Sequence, residues 1–172
     1  MSRRLLLLAT GGTIAGQASD PTRLNDYTAG AMAGDALLAA VPQLQDLATI
    51  SVEQVANVDS ADLLFEHWRA LVARIRAAFA ADTELAGVVI THGTNTLEET
   101  AWLLELLIDD LRPVVLVGAM RPATALSADG PLNLFQAVQV ALSPEARGHG
   151  VLVVMDGQIH AAQRVTKVAT QG

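Results

Sequence analysis

The chain has 172 residues, a length that suits one domain with a sizeable buried core. Hydrophobic residues make up 51% and charged residues 17%, which indicates a globular rather than a disordered protein. The net charge of -7 argues against nucleic acid and anionic membranes as partners, and the absence of cysteine excludes disulfides and thiolate chemistry.

The N-terminal segment imitates the start of a signal peptide, because Arg3 and Arg4 precede four leucines. Its apolar run stops after Ala9, short of the roughly 7 to 15 residues that the hydrophobic part of a signal peptide needs. We therefore expect a cytoplasmic protein that starts with a buried strand. No apolar run reaches the length of a membrane span.

Short apolar runs alternate with longer helical patterns along the chain. The runs predict strands at residues 5–9, 47–55, 86–91, 113–118 and 150–155. The helical patterns fall at residues 32–40, 60–80, 97–110 and 131–142. This alternation predicts an α/β fold, with a mainly parallel sheet flanked by helices on both faces, in a single domain over residues 1–172.

Two of the predicted helices carry start signals. Thr96 followed by Glu99 predicts a capping box at the start of the third helix. Asp129-Gly130-Pro131 marks the start of the fourth helix, with the proline at a tolerated first-turn position. The third strand therefore ends in a tight connection to the third helix, which contains the sequence THGTN.

Two threonines follow strands at the expected ligand-binding edge of this sheet. In open sheets of this type, ligands bind outside the carboxyl ends of the strands where the strand order reverses, commonly between the first and third strands. Thr13 follows the first predicted strand and Thr94 follows the third. The topology thus predicts that both lie at one site.

Thr13 stands among glycines in the sequence GGTIAG at residues 11–16, which allows several readings. A phosphate site has weak support, because threonine replaces the second glycine of the dinucleotide fingerprint and no Gly-Lys-Ser/Thr follows. A nucleophilic threonine needs a base, and the candidates are Tyr27 and Lys167. A lysine desolvated among hydroxyls can lose its proton easily enough to act directly or through Thr94.

Backbone N–H groups at the turn around residues 93–96 would supply donors for a developing oxyanion, and the helix dipole favours negative charge there. No histidine or carboxylate cluster has metal-ligand spacing, so we expect no metal site.

The same residues also have purely structural interpretations. Thr13 can cap a turn, Tyr27 can fill an apolar gap, and Lys167 can lie in a frayed tail. Asp59 and Ser60 can cap the second predicted helix. The histidines are expected at the surface or in turns, with His92 bonded to backbone inside its loop, and they are His67, His92, His149 and His160.

Five segments resemble the N-terminal domain of bacterial-type L-asparaginases, in the same order and at similar separations. They are ATGGTIAG (9–16), VDSAD (58–62), ITHGTNTLEETA (90–101), PVVLVGAMRPATALSADGPLNL (113–134) and RVTK (164–167). The resemblance implies a Rossmann/flavodoxin-like fold. It also implies hydrolysis of the side-chain amide of L-asparagine to L-aspartate and ammonia through an acyl-enzyme, without a cofactor.

The resemblance also assigns roles to individual residues. It implies that Thr13 is the nucleophile, assisted by Tyr27 on a mobile loop that closes over the substrate. It implies that Thr94 and Lys167 form the companion catalytic group. The positions that match the family's substrate-binding residues are Asp59, Ser60, Ala61, Gly93 and Asn95.

Three departures from the family pattern affect these expectations. Asn95 replaces the usual aspartate, whose carboxylate would pair with the substrate's α-ammonium group. We therefore expect weaker substrate binding, which Asp59 partly offsets. Ala61 replaces a polar side chain, which bears on the choice between asparagine and glutamine. The chain ends at Gly172, whereas typical members continue into a second domain that completes a neighbouring subunit's site.

Two expectations follow from these departures. Family members assemble as dimers of intimate pairs, so we expect self-association into a dimer or tetramer. The alternative function is a non-catalytic amino-acid-binding module or regulatory remnant. A nucleotide-binding domain is a more distant third alternative.

Overall fold

A computed structural model describes residues 3–22 and 26–169. The strands of this part are β1 (Arg4–Gly11), β2 (Gln17–Ala18), β3 (Tyr27–Thr28), β4 (Thr49–Val58), β5 (Leu85–Thr91), β6 (Val114–Val117), β7 (Val151–Met155) and β8 (Gln158–Ala161). The α-helices are α1 (Gly34–Ala39), α2 (Leu44–Leu47), α3 (Phe65–Ala81), α4 (Leu97–Leu107) and α5 (Gly130–Leu142). The five strands predicted from the sequence are β1, β4, β5, β6 and β7.

The main sheet has the strand order β4-β1-β5-β6-β7-β8. The pairs from β4 through β7 are parallel, and only β8 runs antiparallel to its neighbour β7. The chain moves outward from β1 to β4 and then returns to the other side of β1 at β5. The strand order therefore reverses between the first and third long strands, as predicted, and Thr13 and Thr94 follow these two strands.

Alternating side chains of β1 enter two separate apolar cores. Leu5 and Leu7 pack on the face covered by α1, α2 and α5, whereas Leu6 and Leu8 pack on the face covered by α3 and α4. Full burial of such a side chain contributes about 2 kcal/mol. Because both faces of β1 are covered, the strand reads as a continuous leucine run, and the α/β prediction with helices on both faces is confirmed.

Several helix boundaries differ from the predictions. The first predicted helix, 32–40, is limited to α1, and the third, 97–110, ends at Leu107. The second, predicted over 60–80, begins only at Phe65, because residues 60–62 form a separate 3-10 turn. The Asp59 side chain caps that turn by accepting a hydrogen bond from Ala61 N at 2.8 Å, so it caps the turn and not the helix.

The predicted capping box at Thr96 and Glu99 is wrong. Thr96 is the N-cap residue of α4, but its side chain makes no capping hydrogen bond. Its hydroxyl instead donates to Ser60 O at 2.8 Å. The local pattern predicted that this hydroxyl bonds within the first turn of α4, but it bonds instead to the loop after β4.

Two hairpins were not predicted. β2 and β3 pair over two residues each, and β8 folds back on β7 through Asp156 and Gly157. Both turn residues have positive φ, at 50° and 69°, which is the conformation that an Asp-Gly pair favours in a tight hairpin. Within the described ranges, no helix is both long enough and apolar enough to cross a membrane.

Candidate active site

Glycines at the end of β1 place the Thr13 loop against two other loops. Gly11 and Gly12 have φ values of 103° and 78°, which L side chains rarely adopt. A Cβ on Gly11 would lie 2.5 Å from Val58 O, and one on Gly12 would lie 2.3 Å from the Cα of Gly93. The absence of side chains therefore lets the loops after β1, β4 and β5 meet.

Thr13 and Tyr27 form the first hydroxyl pair of the site. Thr13 lies in a 3-10 turn directly after Gly12 and is 9% exposed. Its Oγ1 is 2.7 Å from the Tyr27 hydroxyl, and either oxygen can donate. A Cβ on Gly16 would lie 2.7 Å from the Tyr27 ring, so the ring covers this turn. The structure thus brings together the predicted nucleophile and one predicted base.

Thr94 and Lys167 form the second pair. Lys167 Nζ donates to Thr94 Oγ1 at 2.9 Å and to Asn95 Oδ1 at 3.0 Å. Desolvation among hydroxyls was one way in which Lys167 could act as a base. Lys167 has a hydroxyl partner in Thr94, but it is exposed and therefore not desolvated. No hydrogen bond within the described ranges joins Thr13 to Thr94 or Lys167, so the two pairs are separate units.

Glu98 holds the lysine segment and was not singled out from the sequence. Its carboxylate accepts from Lys167 N at 2.6 Å and from Thr166 Oγ1 at 3.2 Å. Glu98 lies in the first turn of α4, where the helix dipole favours a carboxylate. These bonds hold the Lys167 segment against α4, so Lys167 does not lie in a frayed tail, which was its purely structural interpretation. Only the contact of Glu98 with residues far along the chain reveals this role.

The predicted substrate-binding residues gather where the loop after β4 meets the start of α4. Ser60 Oγ accepts from Asn95 N at 3.1 Å and from Thr96 N at 3.3 Å, which satisfies backbone donors at the helix start. A Cβ on Gly93 would lie 2.6 Å from Ser60 Oγ. Ala61 is exposed at the edge of this cluster.

The Asn95 amide links an acidic and a basic side chain. Asn95 Nδ2 donates to Asp59 Oδ1 at 3.0 Å, while Asn95 Oδ1 accepts from Lys167. These opposite partners fix the orientation of the amide, because only its nitrogen can donate. A carboxylate at position 95 would instead face Asp59 with a like charge. The arrangement places the Asp59 carboxylate beside Asn95 at the site.

His92 is a correction to the sequence analysis, which expected surface or turn histidines. Its side chain is 0% exposed, and burial lowers its pKa to about 4 despite a hydrogen bond to the Gly93 carbonyl that opposes the shift. The expected bond to backbone inside its own loop is present, with Nδ1 at 2.7 Å from Gly93 O.

An open pocket of about 400 Å³ adjoins the Thr94 and Lys167 side of the site. Its walls include Leu97, Met120 and Met155. Among the described residues, no group of three or more histidine, aspartate or glutamate side chains could hold a metal ion. The groups at the site that can take part in chemistry include hydroxyls, a lysine, backbone N–H groups and the carboxylates of Asp59 and Glu98.

The fold and the site together define a doubly wound α/β protein with a threonine–tyrosine pair and a threonine–lysine pair at the point of strand-order reversal. Comparison with known proteins narrows this class. The family model described as "Asparaginase, N-terminal" matches residues 4–172. The chain belongs to the asparaginase family and corresponds to its N-terminal region.

Individual relatives agree with this assignment. "L-asparaginase 2" of Bacillus subtilis (strain 168) is 48% identical over 164 residues, which cover 95% of this chain and 44% of the relative. "Glutaminase-asparaginase" of Acinetobacter glutaminasificans is 47% identical over 163 residues, 95% of this chain and 49% of the relative. The chain spans about half the length of the curated relatives it matches.

Solved structures show the same fold. The crystal structure of a probable cytoplasmic L-asparaginase from Campylobacter jejuni superposes with a TM-score of 0.96 at 48% sequence identity. The match covers 99% of this chain and 51% of that one. The doubly wound fold is therefore that of an L-asparaginase N-terminal region.

Proposed function

We propose that the protein hydrolyses the side-chain amide of L-asparagine to L-aspartate and ammonia. The observation that carries the proposal is the pairing of Thr13 with Tyr27 and of Thr94 with Lys167, in loops that meet at Gly12 and Gly93. The names of the Bacillus and Campylobacter relatives support the same reaction. No cofactor takes part in it.

The first half of the proposed reaction forms an ester on Thr13. Thr13 Oγ1 attacks the amide carbon, and the Tyr27 hydroxyl, its hydrogen-bond partner, takes up the Thr13 proton as it passes its own proton towards the leaving nitrogen. The C–N bond then breaks, and the nitrogen leaves as ammonia after taking up a proton. The product is an aspartyl ester of Thr13.

The second half hydrolyses that ester. Water attacks the ester carbon, L-aspartate leaves, and a proton returns to Thr13. Thr94, held by Lys167 at 2.9 Å, is the group placed to relay a proton to or from the reacting atoms on this side. Backbone N–H groups of the loop supply donors for the oxyanion that forms in both halves.

Substrate binding is assigned to the loop after β4 and the start of α4. The segment around Ser60 holds the α-carboxylate, which the positive end of the α4 dipole also favours. Asp59 and Asn95 face the α-ammonium, with Asp59 supplying the negative charge. Exposed Ala61 leaves room at the edge of the site, which is consistent with minor activity on L-glutamine.

The alternative is a binding module that holds an amino acid without hydrolysing it. Two assays on purified protein separate the functions. Ammonia release is measured with L-asparagine and L-glutamine, and binding of L-aspartate is measured by calorimetry. Ammonia release from asparagine supports the hydrolase, whereas calorimetric binding without ammonia supports the module. If neither ammonia release nor L-aspartate binding is detected, both functions are excluded.

We also propose self-association into a dimer or tetramer. The surface of α3 and α4 exposes several large apolar side chains, which soluble monomers rarely cluster. They include Phe65 at 67%, Leu106 at 65%, and Trp102 and Leu107 at 43% each. A light-scattering mass of a single chain at micromolar concentration would contradict this.

A cytoplasmic location is proposed with support from the description of the Campylobacter relative alone.

A further inference from the structure

A chain of three side-chain hydrogen bonds runs from α3 to the loop that carries Thr94. Trp68 Nε1 lies 2.9 Å from Thr100 Oγ1, and Thr100 Oγ1 lies 2.9 Å from His92 Nε2. The other ring nitrogen, His92 Nδ1, lies 2.7 Å from Gly93 O. Thr100 and His92 are both 0% exposed, so water does not compete for these bonds.

Chemistry fixes the direction of the first and last bonds in this chain. The indole N–H can only donate and the Gly93 carbonyl can only accept. His92 Nδ1 must therefore carry a proton. Since Trp68 supplies a donor to Thr100 Oγ1, the Thr100 hydroxyl is free to donate to His92 Nε2, which accepts. The last bond requires a proton on Nδ1, and burial, which lowers the pKa of His92 to about 4, leaves the ring neutral, so that Nε2 accepts from Thr100.

The tautomer sets the orientation of the next peptide group. The peptide between Gly93 and Thr94 is trans, so its C=O and its N–H point in opposite directions. With Gly93 O bound to the His92 ring, Thr94 N–H is directed away from the ring. This N–H has no hydrogen-bond acceptor among the described residues.

The same carbonyl anchors the contact between the two halves of the site. Gly93 packs against Gly12, the residue before Thr13, and against Ser60. A shift of Gly93 would therefore change the spacing between the Thr13 loop and the Thr94 loop. The opposite tautomer would place an unprotonated Nδ1 against Gly93 O and force such a shift, because two acceptors cannot share a hydrogen bond.

We propose that His92, Thr100 and Trp68 are positioning residues, which fix the Gly93–Thr94 peptide so that Thr94 N–H and the Thr94 hydroxyl meet the reacting atoms. None of the three touches the substrate. The geometric part of the proposal depends only on the hydrogen bonds, whereas its effect on turnover rests on the proposed hydrolase function.

A matched set of variants of the purified protein tests the role. Thr100→Val removes the hydroxyl at nearly constant shape, Thr100→Ser keeps it, and Trp68→Phe removes the first donor at a half-buried position. Ile75→Val on α3 is the control for loosened packing, because Ile75 is buried in the same core but belongs to no hydrogen-bond chain.

For asparagine hydrolysis, we expect Thr100→Val to lower kcat about tenfold or more. KM should stay within about twofold, since the N–H and hydroxyl of Thr94 are misplaced and not lost. Thr100→Ser should restore kcat to within about twofold of the unsubstituted protein, and Ile75→Val should leave it unchanged. A kcat for Thr100→Val equal to that of Ile75→Val would overturn the proposal. If Thr100→Val does not fold, Trp68→Phe takes its place.

A second readout does not depend on activity. Long-range proton–nitrogen NMR of the histidine rings should show His92 neutral with its proton on Nδ1. The Thr94 amide signal should shift in Thr100→Val and return in Thr100→Ser. An Nε2-protonated ring, or an unmoved Thr94 amide, would contradict the proposal even if no ammonia is ever released. Absence of ammonia alone would count only against the hydrolase function.

Discussion

The two halves of the candidate site are held in different ways. The Thr13 half is placed by backbone: Gly12 N donates to Val58 O at 2.9 Å, Gly30 N donates to Gly12 O at 3.0 Å, and one side-chain bond reaches Tyr27. The Thr94 half is placed by side chains from α3, α4 and the segment after β8. Glycine sterics therefore place Thr13, whereas a long-range hydrogen-bond network places Thr94.

Among the variants that leave Thr13 in place, the largest expected effect comes from removing the Lys167 cation of the networked half. Lys167→Met deletes the donor to Thr94 and Asn95 while Thr13 and Tyr27 keep their contact. Proton transfer by a positioned group contributes roughly 10²- to 10⁴-fold, so kcat for asparagine should fall by that amount. Arg69→Met, which removes an exposed cation on α3, is the control. Equal rates for both variants would rule out the role of Lys167.

Acid should weaken the networked half through His92. The pKa of His92 is about 4 in the folded protein against 6.5 for an unperturbed histidine, so between these pH values only the unfolded chain binds the proton. The free energy of unfolding should therefore fall as pH drops from 6.5 to 4, by up to about 3 kcal/mol. Urea unfolding at several pH values measures this.

His92→Asn provides the comparison for the acid experiment, because asparagine does not titrate. Its unfolding free energy should change less steeply over the same pH range, although it will be lower at neutral pH. Identical slopes for both proteins would mean that His92 does not enter the folded core in its neutral form.

A smaller effect is expected on the backbone-held half. Tyr27→Phe keeps the ring over Gly16 but removes the hydroxyl that lies 2.7 Å from Thr13 Oγ1. Turnover should drop about 10- to 100-fold, less than for Lys167→Met, because the glycine-defined turn still presents Thr13. Steady-state kinetics with asparagine decide the order of the two variants. A larger loss for Tyr27→Phe would reverse the comparison.

The smallest effect should be on substrate affinity. Asp59→Asn removes the acidic charge beside Asn95 at nearly constant shape, so KM for asparagine should rise about three- to tenfold with kcat little changed. Asp62→Asn, which removes an exposed carboxylate from the 3-10 turn that follows Asp59, is the matched control. An unchanged KM in Asp59→Asn would show that another group faces the α-ammonium.

The difference between the two halves also explains what the sequence could predict. The leucine run of β1 and the glycines before Thr13 are local signals, and they predicted the strand, the turn and its place at the reversal of strand order. The other long strands of the sheet were predicted from local signals of the same kind, short apolar runs. The Asp-Gly turn at residues 156–157 also carried a local signal for β8, which the sequence analysis did not use.

The networked half could not be derived in this way. Glu98 binds Lys167 across 69 positions, and Ser60 meets Asn95 across 35, so neither contact leaves a periodic or local pattern. The Thr96 capping box failed for the same reason, since Ser60 O took its hydroxyl. Residue chemistry allowed Lys167 to act through Thr94 as one of several alternatives, and only the resemblance to asparaginases singled out that pair before the structure did.

The most direct test of the account is ammonia release from L-asparagine by the purified protein beside Thr13→Ala, with L-aspartate binding measured for both. We predict release by the unsubstituted protein, loss of release in Thr13→Ala by about 10³-fold or more, and binding retained in both. Release by Thr13→Ala within about tenfold of the unsubstituted rate would contradict Thr13 as the nucleophile. Binding without release by the unsubstituted protein would contradict the hydrolase itself.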